Sequence, residues 1–226
     1  MSVAADYARL VEAASAPYRA AGRFAWHFAR GKLRYDPVFQ ALLQPGVIPE
    51  NARLLDLGCG QGLLAALLDV AGAPRLAAYR GVELMARDVA RARTALGADC
   101  GVEQADIRSA KFGTADIVVL LDVVHFMGRE DQDAVLRRVR DALAAGGKLL
   151  LRVGDADSGL PFRFGNWVDW TVALARGHGA TRFHCRSVAQ WRAALEALGF
   201  TVQTEPMSRG TPFANVLLAA RLPLRS

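Results

Sequence analysis

Short apolar segments alternate with helical patterns over most of this sequence, and this alternation constrains the fold more than any other feature. In chain order, the apolar segments are 53–57, 77–83, 101–106, 116–124 and 148–153, and helices are predicted over 62–71, 86–96 and 130–144. Repeated strand–helix–strand units predict a mostly parallel sheet with helices on both faces. Ligands of such sheets bind outside the carboxyl ends of the strands.

The two ends of the chain depart from the alternation. Residues 1–49 read as helices that form an N-terminal cap, and Asp36 followed by Pro37 predicts the start of the third helix, with Asp36 as N-cap. Near the C-terminus, two apolar segments, 200–207 and 213–222, have no helix between them. We therefore expect a seven-stranded, Rossmann-like sheet that ends in an antiparallel hairpin.

The chain of 226 residues has the length of one α/β domain. Within this single domain we expect four parts, which are a helical cap (1–49), a cofactor-binding core (50–153), a lid insertion (154–186) and a terminal helix with a hairpin (187–226). The terminal helix has Ser187 as its predicted cap, with Gln190 completing a capping box.

Charge and composition exclude some classes of protein and leave others open. The net charge of +6 is compatible with nucleic acid, acidic proteins or anionic small molecules as partners. No apolar run reaches the roughly 18 residues that a membrane-spanning helix needs. The N-terminus lacks the basic start and apolar core of a signal peptide, so we expect a cytoplasmic protein. Three scattered cysteines predict neither a disulfide framework nor a metal site.

A glycine loop follows the first apolar segment, and the residues around it indicate which nucleotide it binds. The loop has the pattern Gly58-x-Gly60-x-Gly62, whereas the dinucleotide-binding pattern requires its third glycine at position 63, which is leucine here. Asp56 stands two residues before the loop, where its charge would repel a pyrophosphate. S-adenosylmethionine, which carries a sulfonium and an ammonium group, would instead be attracted.

The stretch LLDLGCGQG closely resembles the first motif of the class I S-adenosylmethionine-dependent methyltransferases, and the resemblance extends over about residues 50 to 222. It implies that Glu83, at the end of the second strand, binds the two ribose hydroxyls. It also implies that Asp106 accepts a hydrogen bond from the adenine amino group. The full set of cofactor residues implied by the resemblance is Asp56, Gly58, Cys59, Gly60, Gly62, Glu83, Leu84, Asp106, Ile107 and Asp122.

The segment LLDVVHFM matches the fourth motif of this family, and its residues exclude some classes of methyl acceptor. It lacks the Pro-Pro-aromatic sequence of enzymes that methylate nucleobase amino groups and the cysteine of enzymes that methylate cytosine carbon. His125 is the candidate general base, because an imidazole exchanges protons near neutral pH, and Asp122 is a second catalytic candidate. A structural contact for His125 remains the alternative, and we expect no catalytic metal.

The predicted lid mixes aromatic side chains with arginines, which suits an apolar acceptor that bears an anionic group. Its candidate substrate residues are Arg163, Trp167, Arg182 and His184. We expect the acceptor to be a small molecule or a carrier-protein-linked acyl group, and O-methylation to be the reaction. An RNA methyltransferase is an alternative that the charge favours, although the chain carries no RNA-binding appendage. A non-catalytic S-adenosylmethionine-binding protein and, less favoured, a dehydrogenase also stay open.

Overall fold

A computed structural model describes residues 3–156, 184–208 and 214–224. The chain divides into two compact units, residues 1–119 and 120–226. The first unit contains the N-terminal helices and the strands that lead to and follow the glycine loop. In chain order its elements are α1 (Val3–Ser15), a 3-10 turn (Ala16–Arg19), α2 (Arg23–Tyr35), α3 (Pro37–Leu42), β1 (Ala52–Leu57), α4 (Leu63–Ala71), β2 (Leu76–Glu83), α5 (Ala86–Leu96), β3 (Val102–Gln104) and β4 (Ala115–Leu121), whose last two residues belong to the second unit.

The second unit contains the longest strand and the terminal hairpin. Its elements in the described residues are a second 3-10 turn (Val124–Phe126), α6 (Arg129–Ala142), β5 (Leu143–Gly154), α7 (Val188–Ala197), β6 (Thr201–Pro206) and β7 (Asn215–Arg221). The core of this unit includes Leu149, Leu151, Trp191 and Leu218, each at most 1% exposed.

Within the described residues, seven strands form one sheet in the order β3-β2-β1-β4-β5-β7-β6. Strand β1 runs parallel to β2 and to β4, and β2 runs parallel to β3. Strand β7 is antiparallel to both β5 and β6. The predicted fold, a mostly parallel sheet flanked by helices and ending in an antiparallel hairpin, is therefore confirmed.

Both helix caps that the sequence predicts are present. The Asp36 carboxylate accepts a hydrogen bond from the backbone N–H of Val38 at 3.1 Å, and Pro37 is the first residue of α3. At α7, the Ser187 hydroxyl accepts from the backbone N–H of Gln190 at 3.3 Å, and the Gln190 amide oxygen accepts from the backbone N–H of Ser187 at 3.2 Å. These bonds satisfy N–H groups that have no partner within the helix.

Two predicted strands are shorter in the structure than the sequence pattern indicates. The segment 101–106 forms strand only over Val102–Gln104, because residues 106–110 close a hydrogen-bonded turn in which Ala110 N donates to Asp106 O at 2.7 Å. The segment 116–124 ends as strand at Leu121, because Asp122 adopts a left-handed φ of 58° that an extended strand cannot contain. Most of the predicted lid insertion, 157–183, lies outside the described residues.

The helical cap packs within the first unit. Helix α1 contacts α2 and α4, and the 3-10 turn Ala16–Arg19 contacts α5. Tyr18, Leu33 and Leu42 are fully buried in this packing. Across the described parts of the chain, no helix combines the length and the apolar character needed to cross a membrane.

Candidate functional site

The glycine loop connects β1 to α4 and has a backbone that only glycine adopts readily. Gly58, Gly60 and Gly62 all have left-handed φ angles, of 77°, 58° and 74°. The loop is tied to the end of β2, because the N–H of Gly58 donates to the Val82 carbonyl at 2.7 Å. A side chain at Gly62 would also lie 3.0 Å from Leu96 of α5, so this glycine allows the loop to pack closely.

Glu83 holds the loop from the last position of β2. One carboxylate oxygen accepts from the N–H of Gly60 at 2.9 Å, and the other accepts from the N–H of Met85 at 2.8 Å. The side chain is buried, so little water competes for the oxygens that accept these two hydrogen bonds. Each oxygen has a second lone pair that can accept a ligand hydroxyl. The residue predicted to bind ribose therefore also orders the glycine loop.

Asp56 is buried beneath the loop. It is 4% exposed, and its carboxyl accepts a hydrogen bond from the Tyr79 hydroxyl of β2 at 3.0 Å. Burial raises the pKa of Asp56 to about 7, whereas the Tyr79 hydrogen bond lowers it and the charge of Glu83 raises it. From its sequence position, Asp56 was expected to be an anion beside the loop. The structure makes its charge dependent on pH near neutrality.

The side chains of Cys59 and Tyr79 pack closely around Gly81, the residue that faces Asp56 on the neighbouring strand. Gly81 pairs with Asp56 across β1 and β2. A β-carbon added at Gly81 would lie 2.7 Å from the Cys59 sulfur and 3.0 Å from the Tyr79 oxygen. Cys59 and Tyr79 also pack against a small apolar cluster on α5 and β3. Cys59 is thus a half-buried packing residue, and none of the three cysteines is in a disulfide.

Tyr18 joins the helical cap to the glycine loop. Its side chain is fully buried, and its hydroxyl donates to the backbone carbonyl of Gln61 at 2.7 Å. Gln61 itself is 1% exposed, and its side-chain amide donates to Asp88 at 3.3 Å. Tyr18 is not among the predicted site residues, because a tyrosine among helical apolar residues carries no signal for a partner 43 positions away.

The predicted adenine residues lie after β2 and β3. Leu84 is 50% exposed, so part of its apolar side chain is accessible to a ligand. Asp106 caps its own turn, accepting from the N–H of Arg108 at 2.9 Å and pairing with the Arg108 guanidinium. The hydrogen bond from that side chain is the main cause that lowers the pKa of Asp106. Ile107 is buried.

In the second unit, Asp122 forms an ion pair with Arg152, which is not among the predicted site residues. Arg152 of β5 is 1% exposed, and its Nε donates to Asp122 Oδ1 at 2.8 Å while a second nitrogen contacts Oδ2. Its sequence position could have indicated this pair, because Arg152 interrupts an apolar strand and a charged residue that is buried there needs a partner of opposite charge.

His125 lies in the 3-10 turn that follows Asp122. Burial lowers its pKa to about 4, the nearby Asp122 carboxylate raises it, and the Arg152 guanidinium lowers it. His184 is close in the backbone, because its N–H donates to the His125 carbonyl at 2.9 Å. The buried Gln132 side chain of α6 donates to the His184 carbonyl at 2.7 Å and fixes this segment.

The structure therefore brings the sequence-predicted residues together in two groups. The glycine loop, Asp56 and Glu83 meet in the first unit, and Asp122, His125 and the His184 backbone meet in the second. Arg163, Trp167 and Arg182 lie outside the described residues. Among the residues that are described, no group of three or more His, Cys, Asp or Glu side chains could hold a metal ion.

Part of this chain is similar in sequence to a known protein. Over 122 residues the chain is 35% identical to a carboxy-S-adenosyl-L-methionine synthase from Chromohalobacter salexigens, a match that covers 50% of this chain and 45% of that protein. The chain thus matches about half the length of this relative.

Solved structures share the fold at lower sequence identity. An O-methyltransferase family protein from Burkholderia thailandensis has a TM-score of 0.67 at 20% identity, covering 92% of this chain and 63% of that one. The magnesium protoporphyrin IX methyltransferase from Synechocystis, solved with bound SAH, has a TM-score of 0.61 at 22% identity, covering 88% of each chain.

A mostly parallel seven-stranded sheet with a terminal hairpin and a glycine loop after β1 defines the class I methyltransferase fold. The model of the methyltransferase domain family matches residues 25–205, and the chain belongs to this family of S-adenosylmethionine-dependent methyltransferases. The resemblance stated from the sequence is confirmed.

Proposed function

We propose that this protein transfers the methyl group of S-adenosylmethionine to an oxygen of a small or carrier-linked acceptor that has an apolar body and an anionic group. The observation that carries the proposal is the position of His125 in the 3-10 turn that follows β4, near the Asp122 carboxylate. Burial lowers the pKa of His125 to about 4, which keeps the imidazole neutral at physiological pH and makes it a weaker base than a free histidine. A hydroxyl acceptor needs a base, and a neutral imidazole can take its proton.

The cofactor is assigned to the first unit. In this proposal Gly58, Gly60 and Gly62 let the loop backbone approach the methionine part, and Glu83 binds the ribose hydroxyls with the lone pairs that its two backbone bonds leave available. The exposed Leu84 covers one face of the adenine. Asp106 and Ile107 bind the adenine edge and ring, which requires Asp106 to share its carboxylate with Arg108.

Methyl transfer is a displacement at carbon in which the enzyme mainly aligns two bound reactants. The acceptor oxygen forms a bond to the methyl carbon as the carbon–sulfur bond breaks, and the electron pair of that bond stays on the sulfur of S-adenosylhomocysteine. The acceptor proton passes to the His125 imidazole and then to water. Proton transfer of this kind contributes typically 10²–10⁴-fold to the rate.

The acceptor site is assigned to the predicted lid, residues 154–186, which includes His184. Arg163 and Arg182 are proposed to grip the anionic group, and Trp167 to pack on the apolar body. The structural observation that supports this assignment is the hydrogen bond from the His184 backbone N–H to the His125 carbonyl, at 2.9 Å. A free acid and an acyl group on an acidic carrier protein both satisfy this chemistry, and the net charge of +6 favours an acidic partner.

The test is a panel of hydroxylated acids, their neutral esters and their carrier-bound forms, with methylated product measured by mass spectrometry. His125→Gln should lower the rate by about 10²–10⁴-fold while S-adenosylhomocysteine binds as in wild type. Arg163→Ala and Arg182→Ala should raise KM for acids only. Full activity of His125→Gln would reject the base, and equal turnover of acids and esters would reject the anion grip.

A second candidate follows from the relative that is a carboxy-S-adenosyl-L-methionine synthase, which is 35% identical over its matched part. In that case the protein would make or bind a carboxylated form of the cofactor. Mass spectrometry of the nucleoside extracted from the purified protein distinguishes the two, because the second candidate requires the added mass of one carboxyl group.

A further inference from the structure

Arg108 binds both oxygens of the carboxylate that is assigned to the adenine amino group. Asp106 Oδ1 accepts from the Arg108 backbone N–H at 2.9 Å and from its Nε at 3.0 Å. Oδ2 accepts from the same Nε at 3.0 Å and from Nη2 at 2.6 Å. An ionised carboxylate has about four acceptor positions, so these contacts use the whole capacity of Asp106.

Asp106 lies close to the residue that is assigned to the ribose. Glu83 pairs with Gln104 where β2 meets β3, and the N–H of Ala105 donates to the Glu83 carbonyl at 3.0 Å. Asp106 is the next residue, at the carboxyl end of the sheet where ligands of such folds bind. The ion pair is accessible there, because the side chain of Arg108 is 54% exposed and that of Asp106 is 27% exposed. A bound adenine would therefore meet a carboxylate that already has a partner.

The orientation of Asp106 does not depend on the arginine side chain. Its Oδ1 is held by the backbone N–H of residue 108, and its own carbonyl accepts from the N–H groups of Ser109 and Ala110, at 2.9 Å and 2.7 Å. The hydrogen bond from the Arg108 side chain is the main cause that lowers the pKa of Asp106, but an aspartate without such a partner is also ionised at neutral pH. Loss of the guanidinium would therefore free the carboxylate without changing its place or its charge.

We propose that Arg108 is a specificity-determining residue of the cofactor site, which competes with the adenine amino group for Asp106 and thereby limits the preference of the site for adenine. This inference rests on the proposed function, in which Asp106 accepts from that amino group. It gives Arg108 an effect opposite to that of a binding residue, because its loss strengthens the binding of S-adenosylmethionine and of S-adenosylhomocysteine.

The test combines a change in the protein with a change in the ligand. The ligands are S-adenosylhomocysteine and its analogue with purine in place of adenine, which lacks the amino group, and calorimetry measures both affinities at neutral pH. Exposed ion pairs contribute up to about 5-fold in an equilibrium constant, and two-point arginine contacts lie towards the upper end. In Arg108→Met the affinity for S-adenosylhomocysteine should therefore rise by about 2- to 5-fold, whereas that for the purine analogue should stay as in wild type.

Two further variants control for the charge of the arginine. Arg108→Lys keeps the charge but cannot make the two-point contact, so its affinity for S-adenosylhomocysteine should lie between those of wild type and Arg108→Met. Arg87→Met removes the same charge from an exposed position near the start of α5, at the same end of the sheet, and should bind both ligands as wild type does. If Arg108→Met binds both ligands more tightly by the same factor, the effect is one of charge and the competition is refuted.

Asp106→Asn separates this inference from the cofactor assignment on which it rests. Wild type should prefer S-adenosylhomocysteine to the purine analogue, and this preference should fall in Asp106→Asn, because a neutral amide accepts a weaker hydrogen bond than a carboxylate does. An equal preference in these two proteins rejects the adenine assignment and the role of Arg108 with it. If the preference falls in Asp106→Asn but does not increase in Arg108→Met, the assignment stands and the competition is refuted.

Discussion

Asp56→Asn removes a carboxyl group that the fold makes sensitive to pH. Its pKa is about 7 in the folded protein, against 3.8 for an aspartate in water, and burial is the main cause. The difference is about 3 pH units, and each unit corresponds to about 1.36 kcal/mol. Above pH 7 the ionised carboxylate therefore lowers the free energy of unfolding by about 4 kcal/mol relative to the protonated form.

The sign follows from proton binding. Between about pH 4 and pH 7 the folded protein holds the Asp56 proton and the unfolded chain does not, so raising the pH through this window favours unfolding. Below the unfolded pKa, Asp56 is protonated in both states and the folded protein bears no cost for its charge. This cost then grows as the pH rises and is complete above the folded pKa. Asparagine has no such charge, and its amide oxygen can still accept the Tyr79 hydroxyl.

The assay is urea unfolding of the ligand-free protein from about pH 5 to about pH 8. The stability of Asp56→Asn relative to wild type should increase by about 1.4 kcal/mol per pH unit up to pH 7 and then level off. Asp99→Asn is the matched control, because Asp99 is exposed on a loop. A difference between Asp56→Asn and wild type that does not vary with pH would refute the reasoning.

The remaining predictions concern packing and the cap. Tyr18→Phe should lower the free energy of unfolding by about 0.5–1.5 kcal/mol and weaken S-adenosylhomocysteine binding, because the glycine loop loses a hydrogen bond. Tyr7→Phe is the control, because it loses a hydrogen bond of the same 2.7 Å length between α1 and α2, and it should lower stability without changing the affinity for S-adenosylhomocysteine. If calorimetry finds weaker binding in Tyr7→Phe and unchanged binding in Tyr18→Phe, the link between Tyr18 and the glycine loop is rejected. Gly81→Ala should destabilise by about 1–3 kcal/mol, because the new β-carbon would lie 2.7 Å from the Cys59 sulfur. Gly31→Ala, in an open position of α2, should stabilise by about 0.5–1 kcal/mol, and equal melting temperatures for the two variants would contradict the packing argument.

The fold was predictable because its signals are local. Alternating apolar and helical patterns located the strands around the glycine loop, and the capping residues Asp36 and Ser187 located two helix starts. The left-handed Asp122 was not predictable, because its conformation depends on a partner on another strand. The strand therefore ends earlier than its apolar pattern indicates.

The proximity of the candidate site residues was predictable where a family motif marks them and not where the neighbours come from distant parts of the chain. The motif positions of the glycine loop and Glu83 do meet in the structure, at 2.9 Å between Gly60 and Glu83. Tyr79 and Arg152 were missed, since only the sheet brings them against Asp56 and Asp122. The charge of Asp56 also could not be read from its sequence position, because burial determines it.

The measurement that tests the central claim most directly is isothermal titration calorimetry of wild type, Glu83→Gln and Glu103→Gln with S-adenosylmethionine, S-adenosylhomocysteine and NAD. Wild type should bind the first two ligands and show no measurable NAD binding. Glu83→Gln should weaken binding by about 1.5–3 kcal/mol, the scale of hydrogen bonds to charged groups. Glu103→Gln, which loses only a half-exposed ion pair with Arg80, should bind as wild type does. Tight binding of NAD alone, or equal affinities for wild type and Glu83→Gln, would contradict the account.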